Sequence, residues 1–152
     1  MSQPIIPGPR LSAETLHAST VARDGRAVLI TGPSGSGKSD LALRLVDRGF
    51  TLVSDDQTIV KRDGDRLLAS PPPTIAGKLE IRGLGIVDMD NLDDVPVALI
   101  VELTMDEIQR LPDDSRERPI LGVNVPLVAI DAMTASAPSK VAIALDRMGL
   151  KF

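Results

Sequence analysis

Apolar positions in this chain come as short runs separated by glycine, proline and aspartate, and few are long enough for a helix. Leu16–Ala22 reads as a strand, Arg23–Arg26 carries an Asp-Gly turn, and Ala27–Thr31 is a run apolar enough to be buried on both faces. After a glycine-rich segment, "KSDLALRLVDRG" places Leu41, Ala42, Leu45 and Val46 at helical spacing, with Gly49 as a stop. "FTLVSDD" predicts a second buried strand, and "QTIVKRDGDRLLAS" a hairpin around Asp63-Gly64. Pro71–Pro73 breaks the chain. "LEIRGLGIVDM" then reads as one strand interrupted by glycines. "VPVALIVEL" is the strongest core strand, "TMDEIQRL" a short helix, and "ILGVNVPLVAIDA" further strand. "SAPSKVAIALDRMG" closes with a helix whose Val141, Ala144, Leu145 and Met148 share a face. Residues 1–10 read as an irregular arm, and no internal repeat or interdomain linker interrupts the rest. The mixture predicts a single α/β domain over 1–152, with antiparallel parts in its sheet.

Composition narrows the function. Phe50 and Phe152 are the only aromatic residues, so the core is aliphatic and base-stacking platforms are lacking. The net charge is −4 with dispersed basic residues, which argues against nucleic acid or an anionic membrane as partner. There is no cysteine, and hence neither disulfides nor thiolate metal sites. The N-terminus has no apolar signal core and no run suits a spanning helix, so a cytoplasmic protein is expected.

The chemistry begins at Gly32-Pro33-Ser34-Gly35-Ser36-Gly37-Lys38-Ser39, which fits G-x-x-x-x-G-K-[ST] in full. It follows a buried strand and opens an amphipathic helix, the context in which backbone N–H groups cradle phosphates. Lys38 would reach the outer phosphates and Ser39 would ligate Mg²⁺, so ATP and Mg²⁺ are the expected cofactors. A carboxylate near the metal is also needed. Val97–Val101 followed by Glu102 is the better generic strand-plus-acid match, while Thr51–Ser54 followed by Asp55-Asp56 comes directly after the loop's helix. If that second strand stays regular, at most one of Asp55 and Asp56 faces the phosphates.

Four segments in order, "LHASTVARDGRAVLITGPSGSGKSDLALRLVDRGFTLVSDDQ", "LEIRGLGIVDM", "DEIQRL" and "APSKVAIAL", make the chain resemble the catalytic domain of HPr kinase/phosphorylase, in the short form found in alphaproteobacteria. The resemblance implies a P-loop fold similar to phosphoenolpyruvate carboxykinase, with flanking helices on a mixed sheet. It implies phosphorylation of a serine of the phosphocarrier HPr, phosphorolysis of phosphoserine-HPr with release of pyrophosphate, and assembly as hexamers. Carried over, Ser39 and Glu80 match the Mg²⁺ ligands. His17, Lys38, Asp56 and Arg110 match the catalytic set, with Asp56 as proton acceptor beside Asp55. Lys140 lies where the family has a basic loop used in phosphorolysis, here Pro138-Ser139-Lys140 without its glycine or arginine. The further domain of longer members is not expected, since about fifteen residues precede the match. Arg116 and Arg118 read as solvated, in a "DDSRERP" segment able to form a flap. Two other readings stand beside this one: a small-molecule kinase with "RLPDDSRERP" as an arginine lid, and a nucleotide sensor without catalysis.

Overall fold

The structure, a computed structural model, describes residues 12–106 and 116–152. Two strands, β1 (Ala13–Leu16) and β2 (Ala18–Arg23), occupy the stretch expected to hold one. The break falls at His17. β1 pairs antiparallel with β5 (Thr58–Asp63), whereas β2 lies between β3 (Arg26–Thr31) and β4 (Thr51–Ser54). The polar-apolar pattern runs on through His17, so the change of partner is invisible locally. The β2–β3 turn is Asp24-Gly25 as expected, both residues with positive φ (54° and 72°), as a tight hairpin requires.

The described strands form a nine-stranded sheet with the path β1-β5-β6-β9-β3-β2-β4, where β6 is Arg66–Ser70 and β9 is Val95–Leu103. The β5–β6 turn is Gly64-Asp65, one residue beyond the expected centre, because Asp63 pairs with Arg66. β9 pairs parallel with β3 on one edge. On its other edge it meets β6 and then, in parallel, β11 (Val123–Ile130), which is hairpinned to β10 (Arg116–Ile120). Sharing one edge between two partners curls the sheet. Helix α1 (Lys38–Asp47) packs on β2, β3 and β4, and α2 (Ala137–Met148) on β9 and β11. The first core lies between helices and sheet, around Val28, Ile30, Leu41, Leu45, Val101, Val141 and Leu145. The second fills the curl on the other face, around Leu29, Val60, Leu67, Ile100, Val125 and Leu127. Met148 does not share the buried face: it is 44% exposed at the end of α2, where Gly149 turns the chain back.

Two bulges set which residues face which core. Ala27 pairs with Val97 and Val28 with Leu99, leaving Ala98 as the extra residue of β9. Its carbonyl accepts the N–H of Leu150 from the C-terminal segment. Val21 pairs with Leu52 and Thr20 with Ser54, so Val53 is the extra residue of β4. A bulge shifts the alternation of side chains by one and re-aims everything after it.

The stretch Leu79–Met89 is a hairpin and not one strand. β7 (Lys78–Ile81) and β8 (Gly85–Asp88) form a separate two-stranded sheet. The turn closes with the Leu84 N–H on the Ile81 carbonyl, and Gly83 and Gly85 take φ of 90° and 92°, a region where a side chain is strained. The helix expected over Thr104–Leu111 falls mostly outside the described residues. Of "DDSRERP", Arg116–Pro119 is the strand β10. No described helix is long and apolar enough to cross a membrane.

Candidate active site

The phosphate loop runs from the end of β3 into α1. Gly32 takes φ 152° and Gly37 φ 97°. A Cβ on Gly32 would lie 2.7 Å from Ser36 Oγ and 3.2 Å from Leu103 Cβ, so packing as well as conformation excludes a side chain there. Gly37 caps α1 without a side-chain acceptor, which leaves the first-turn N–H groups of that helix free to meet an anion. Ser36 Oγ is buried with no partner among the described residues. An orphaned hydroxyl and uncapped amides converging on one loop fit a phosphate chain. Lys38, 5% exposed, donates from Nζ to the carbonyls of Gly32 (2.9 Å) and Pro33 (3.1 Å), bracing the loop from within.

Of the twin aspartates, Asp55 alone turns to the nucleotide loop. The strand stops at Ser54, whose hydroxyl donates to the Gln57 carbonyl, and Asp56 sits at φ 65° in the left-handed region. Asp55 is buried (6% exposed) and fully engaged. Its Oδ1 accepts from Ser39 Oγ (2.6 Å) and Ser19 Oγ (2.8 Å), and its Oδ2 from the Glu80 N–H (3.1 Å). Three donors satisfy a carboxylate that would otherwise be costly to bury. Asp56 is 60% exposed, with Oδ1 3.4 Å from Nε2 of His17, itself 53% exposed. One aspartate therefore faces the nucleotide loop, and its neighbour faces solvent beside the chain's single histidine.

Glu80 reaches the site through its backbone. Its side chain is exposed on β7. Ser39, Asp55 and Glu80 are hard oxygen donors of the kind Mg²⁺ takes. Among the described residues no three histidine, cysteine or acidic groups cluster as a protein-only cage, so a cation here would complete its shell with phosphate oxygens and water. Among the described residues Lys140 makes no hydrogen bond or ion pair with these groups; it is exposed in the first turn of α2, and the segment that replaces a basic loop is helical. The preceding loop does touch the phosphate loop, since Ala132 Cβ is 3.5 Å from where a Gly37 Cβ would stand. Arg110 lies outside the described residues.

Two features escape a reading of the sequence. Ser19 is fully buried and bonds to both aspartate positions, donating to Asp55 and accepting from the Asp56 N–H at 3.1 Å. A small polar residue inside an otherwise buried strand is the only signal it leaves. Glu102, the generic strand-end acid, instead binds the guanidinium of Arg118, with Arg116 at 3.9 Å. The arginines expected in solvent are thus a strand-borne ion cluster. Arg118 lines a cavity of about 290 Å³ with His17, Thr31 and Ile100.

Known proteins resemble this chain in sequence and in fold. The profile of the HPr serine kinase C-terminal domain family matches residues 10–146. The HPr kinase/phosphorylase of Chlorobium luteolum is 42% identical over 127 residues, 75% of this chain and 38% of that protein. That of Lacticaseibacillus casei is 38% identical over 128 residues, 76% of this chain and 40% of that protein. This chain thus spans well under half of the curated relatives it matches. The structure of the Hpr(Ser) kinase/phosphatase from Coxiella burnetii superimposes with a TM-score of 0.77 at 31% identity, over 88% of this chain and 94% of that one. With a family profile over nearly its whole length and the same fold around its phosphate loop, the chain belongs to the HPr serine kinase C-terminal domain family.

Proposed function

We propose that this protein transfers the outer phosphoryl group of ATP to a serine of an HPr-like phosphocarrier. The observation that carries the reading is the division of the twin aspartates: Asp55 on Ser39 of the nucleotide loop, Asp56 open to solvent beside His17. A serine hydroxyl is a weak nucleophile at neutral pH, and a positioned carboxylate that takes its proton as the bond forms supplies about 10²–10⁴-fold. In this reading the acceptor serine approaches from the solvent side. Asp56 removes the hydroxyl proton, the serine oxygen bonds to the outer phosphorus, and the bond to the bridging oxygen breaks to release ADP. His17 orients the Asp56 carboxylate. Lys38 turns from the loop carbonyls toward the phosphates and stabilises charge on the transferring group, with Arg110 assigned the same task by resemblance. Mg²⁺ would be held by Ser39 and Glu80 and would supply positive charge to offset that of the phosphates. Asp55 acts behind Ser39 as its orienting acceptor.

The reverse reaction, phosphorolysis of phosphoserine by inorganic phosphate, belongs to the same proposal as the weaker activity. Two anions must then face each other, so cations are needed on both sides. Lys140 is the one basic residue assigned to the acceptor side by resemblance, where a fuller basic loop is expected, and this supports dominance of the kinase direction. Homo-oligomeric assembly completes the reading, supported by exposed Ile143 and Met148 on α2, and light scattering in solution reads it.

The test is incubation with γ-labelled ATP, Mg²⁺ and purified HPr. Label on an HPr serine supports the proposal. Label on a metabolite would favour a small-molecule kinase, and ATP binding without transfer a sensor. Presenting phosphoserine-HPr with millimolar phosphate and no ATP, and measuring pyrophosphate, tests the reverse direction; Lys140→Ala is expected to remove it before the kinase activity.

A further inference from the structure

We infer that Ser19 is a positioning residue that couples the nucleotide side of the site to the acceptor side, an inference that rests on the proposed kinase reading. Among the described residues its hydroxyl is the one group bonded to both members of the aspartate pair. It donates to Asp55 Oδ1 at 2.8 Å and accepts from the backbone N–H of Asp56 at 3.1 Å. Ser19 is 0% exposed in the middle of β2, held by β3 through Ile30 on one side and flanked by β4 on the other, so its Oγ has little freedom to drift.

The bulge at Val53 makes this contact. With Thr20 opposite Ser54, continuing the antiparallel register sets Ser19 opposite Asp55. Without the extra residue Ser19 would face Ser54, and Asp55 would fall opposite Ala18, which has no side-chain donor. The chain then leaves the strand conformation at once. Asp56 takes φ 65°, a region that a non-glycine residue occupies at some strain, and its N–H turns back onto Ser19 Oγ. That turn points the Asp56 carboxylate at His17. One hydroxyl thus fixes Asp55 through its side chain and Asp56 through its backbone.

Coupling follows from sharing. Asp55 Oδ1 has two hydroxyl donors, Ser39 and Ser19. When a cation engages a lone pair of the Ser39 oxygen, the Ser39 O–H becomes a stronger donor to Asp55 Oδ1, and the Ser19 bond to that same oxygen readjusts. The Ser19 Oγ also accepts the Asp56 N–H, so its readjustment is passed on to Asp56. Filling the phosphate loop therefore adjusts the carboxylate that meets the acceptor serine. A group that acts through another at this remove is expected to change activity by about 10- to 100-fold when lost.

The chain's single histidine gives an assignment-free probe, because His17 touches Asp56 and no other imidazole exists in the untagged protein. The experiment records the imidazole ¹H–¹³C cross-peaks of full-length wild type, Ser19→Ala and Ser19→Thr, with and without saturating Mg²⁺ and a non-hydrolysable ATP analogue. Analogue affinity is measured in parallel by calorimetry. In wild type and Ser19→Thr, which keeps the hydroxyl, the cross-peaks are expected to move on binding. In Ser19→Ala the analogue is expected still to bind, but the response shrinks at least about threefold. With ATP and HPr the same variant is expected to lose about tenfold in kcat with KM for ATP little changed. Should Ser19→Ala not fold, Ser19→Cys, which keeps the shape with only a weak donor, takes its place with the same expectations. A full His17 response in the variant, or none in analogue-bound wild type, overturns the coupling while leaving the kinase reading intact. Absence of binding to wild type overturns both.

Discussion

Strands β4 and β9 each run apolar residues up to a carboxylate at the end of the sheet that carries the phosphate loop, and the two carboxylates meet opposite fates. β9 looks the better placed. It is hydrogen-bonded directly to β3, with Glu102 opposite Thr31, the residue before the loop. Yet Val101 and Leu103 of β9 face the helices, so alternation sends Glu102 to the other face, where Arg118 and Arg116 take it up. β4 is one strand farther away, beyond β2, and its bulge at Val53 swings Asp55 onto Ser39. The difference teaches that an acid at the end of an apolar strand is placed by side-chain phase and not by the strand's adjacency to the loop. One unpaired residue in the ladder decides that phase.

The comparison is open to direct attack. Asp56→Asn is expected to have the largest effect, a loss of at least about 10²-fold in the transfer step, with ATP binding retained. Single-turnover transfer to HPr measures it; equal turnover would move the proton acceptor elsewhere. Asp55→Asn comes next. The amide nitrogen cannot accept from Ser19, Ser39 or the Glu80 N–H, so a buried donor loses its partner, at about 1–3 kcal/mol of stability. Thermal melting and a titration of activity against Mg²⁺ should both shift. If Asp55→Asn exceeds Asp56→Asn in the chemical step, the roles of the pair are exchanged.

Glu102→Gln should sharpen the contrast from the other strand. It removes a partly exposed ion pair worth at most about 1 kcal/mol, so a modest fall in melting temperature is expected with ATP affinity unchanged. A large loss of nucleotide binding would mean that β9, and not β4, supplies the acid for the loop. The smallest effect lies at the entry to β9. Asp94 bonds Lys61 and Ser70, and these hold its carboxyl below the ordinary aspartate value of 3.8. A value lowered on folding contributes stability above the unfolded value and loses it as pH falls through the folded one. The melting temperatures of wild type and Lys61→Met should therefore differ slightly near neutrality and converge as the pH drops below about 3.8. A constant gap through that range would mean that Lys61 acts by packing and not by charge.

What could be read from the sequence was what local chemistry dictates. The phosphate loop, α1 with its Leu41–Leu45 face, the Asp24-Gly25 turn and β9 all carry their signals within a few residues. Features set by distant partners could not be read. Leu16 and Ala18 belong to strands that pair with different neighbours, and nothing between them announces it. Ile81 and Gly85 face each other across a turn with no Asn-Gly or Asp-Gly signature, so the hairpin passed for one strand. The extra residues Val53 and Ala98 are ordinary apolar residues that become bulges only through the register of β2 and β3. Ser19 meets Asp55 across 36 positions, and Arg118 neutralises Glu102 from another strand. The candidate site was named in its parts because the loop and the family resemblance mark them; their wiring needed coordinates.

The hairpin that carries Glu80 stands outside the main sheet, and that has a consequence for how the protein responds over time. β7 and β8 pair only with each other. They are fastened by α1, which packs on β7, by the buried side chain of Leu79 and by the Glu80 N–H on Asp55, while Leu84 and Ile86 at the far end are 76% and 69% exposed. A unit outside the main ladder is expected to open on its own, below the free energy of global unfolding, and its amides to exchange with solvent accordingly. Every opening breaks the Glu80 N–H bond to Asp55. With Glu80 as the cation ligand proposed above, nucleotide occupancy would scale with the fraction of molecules whose hairpin is closed, and a partner resting on the apolar tip would alter that fraction without entering the site.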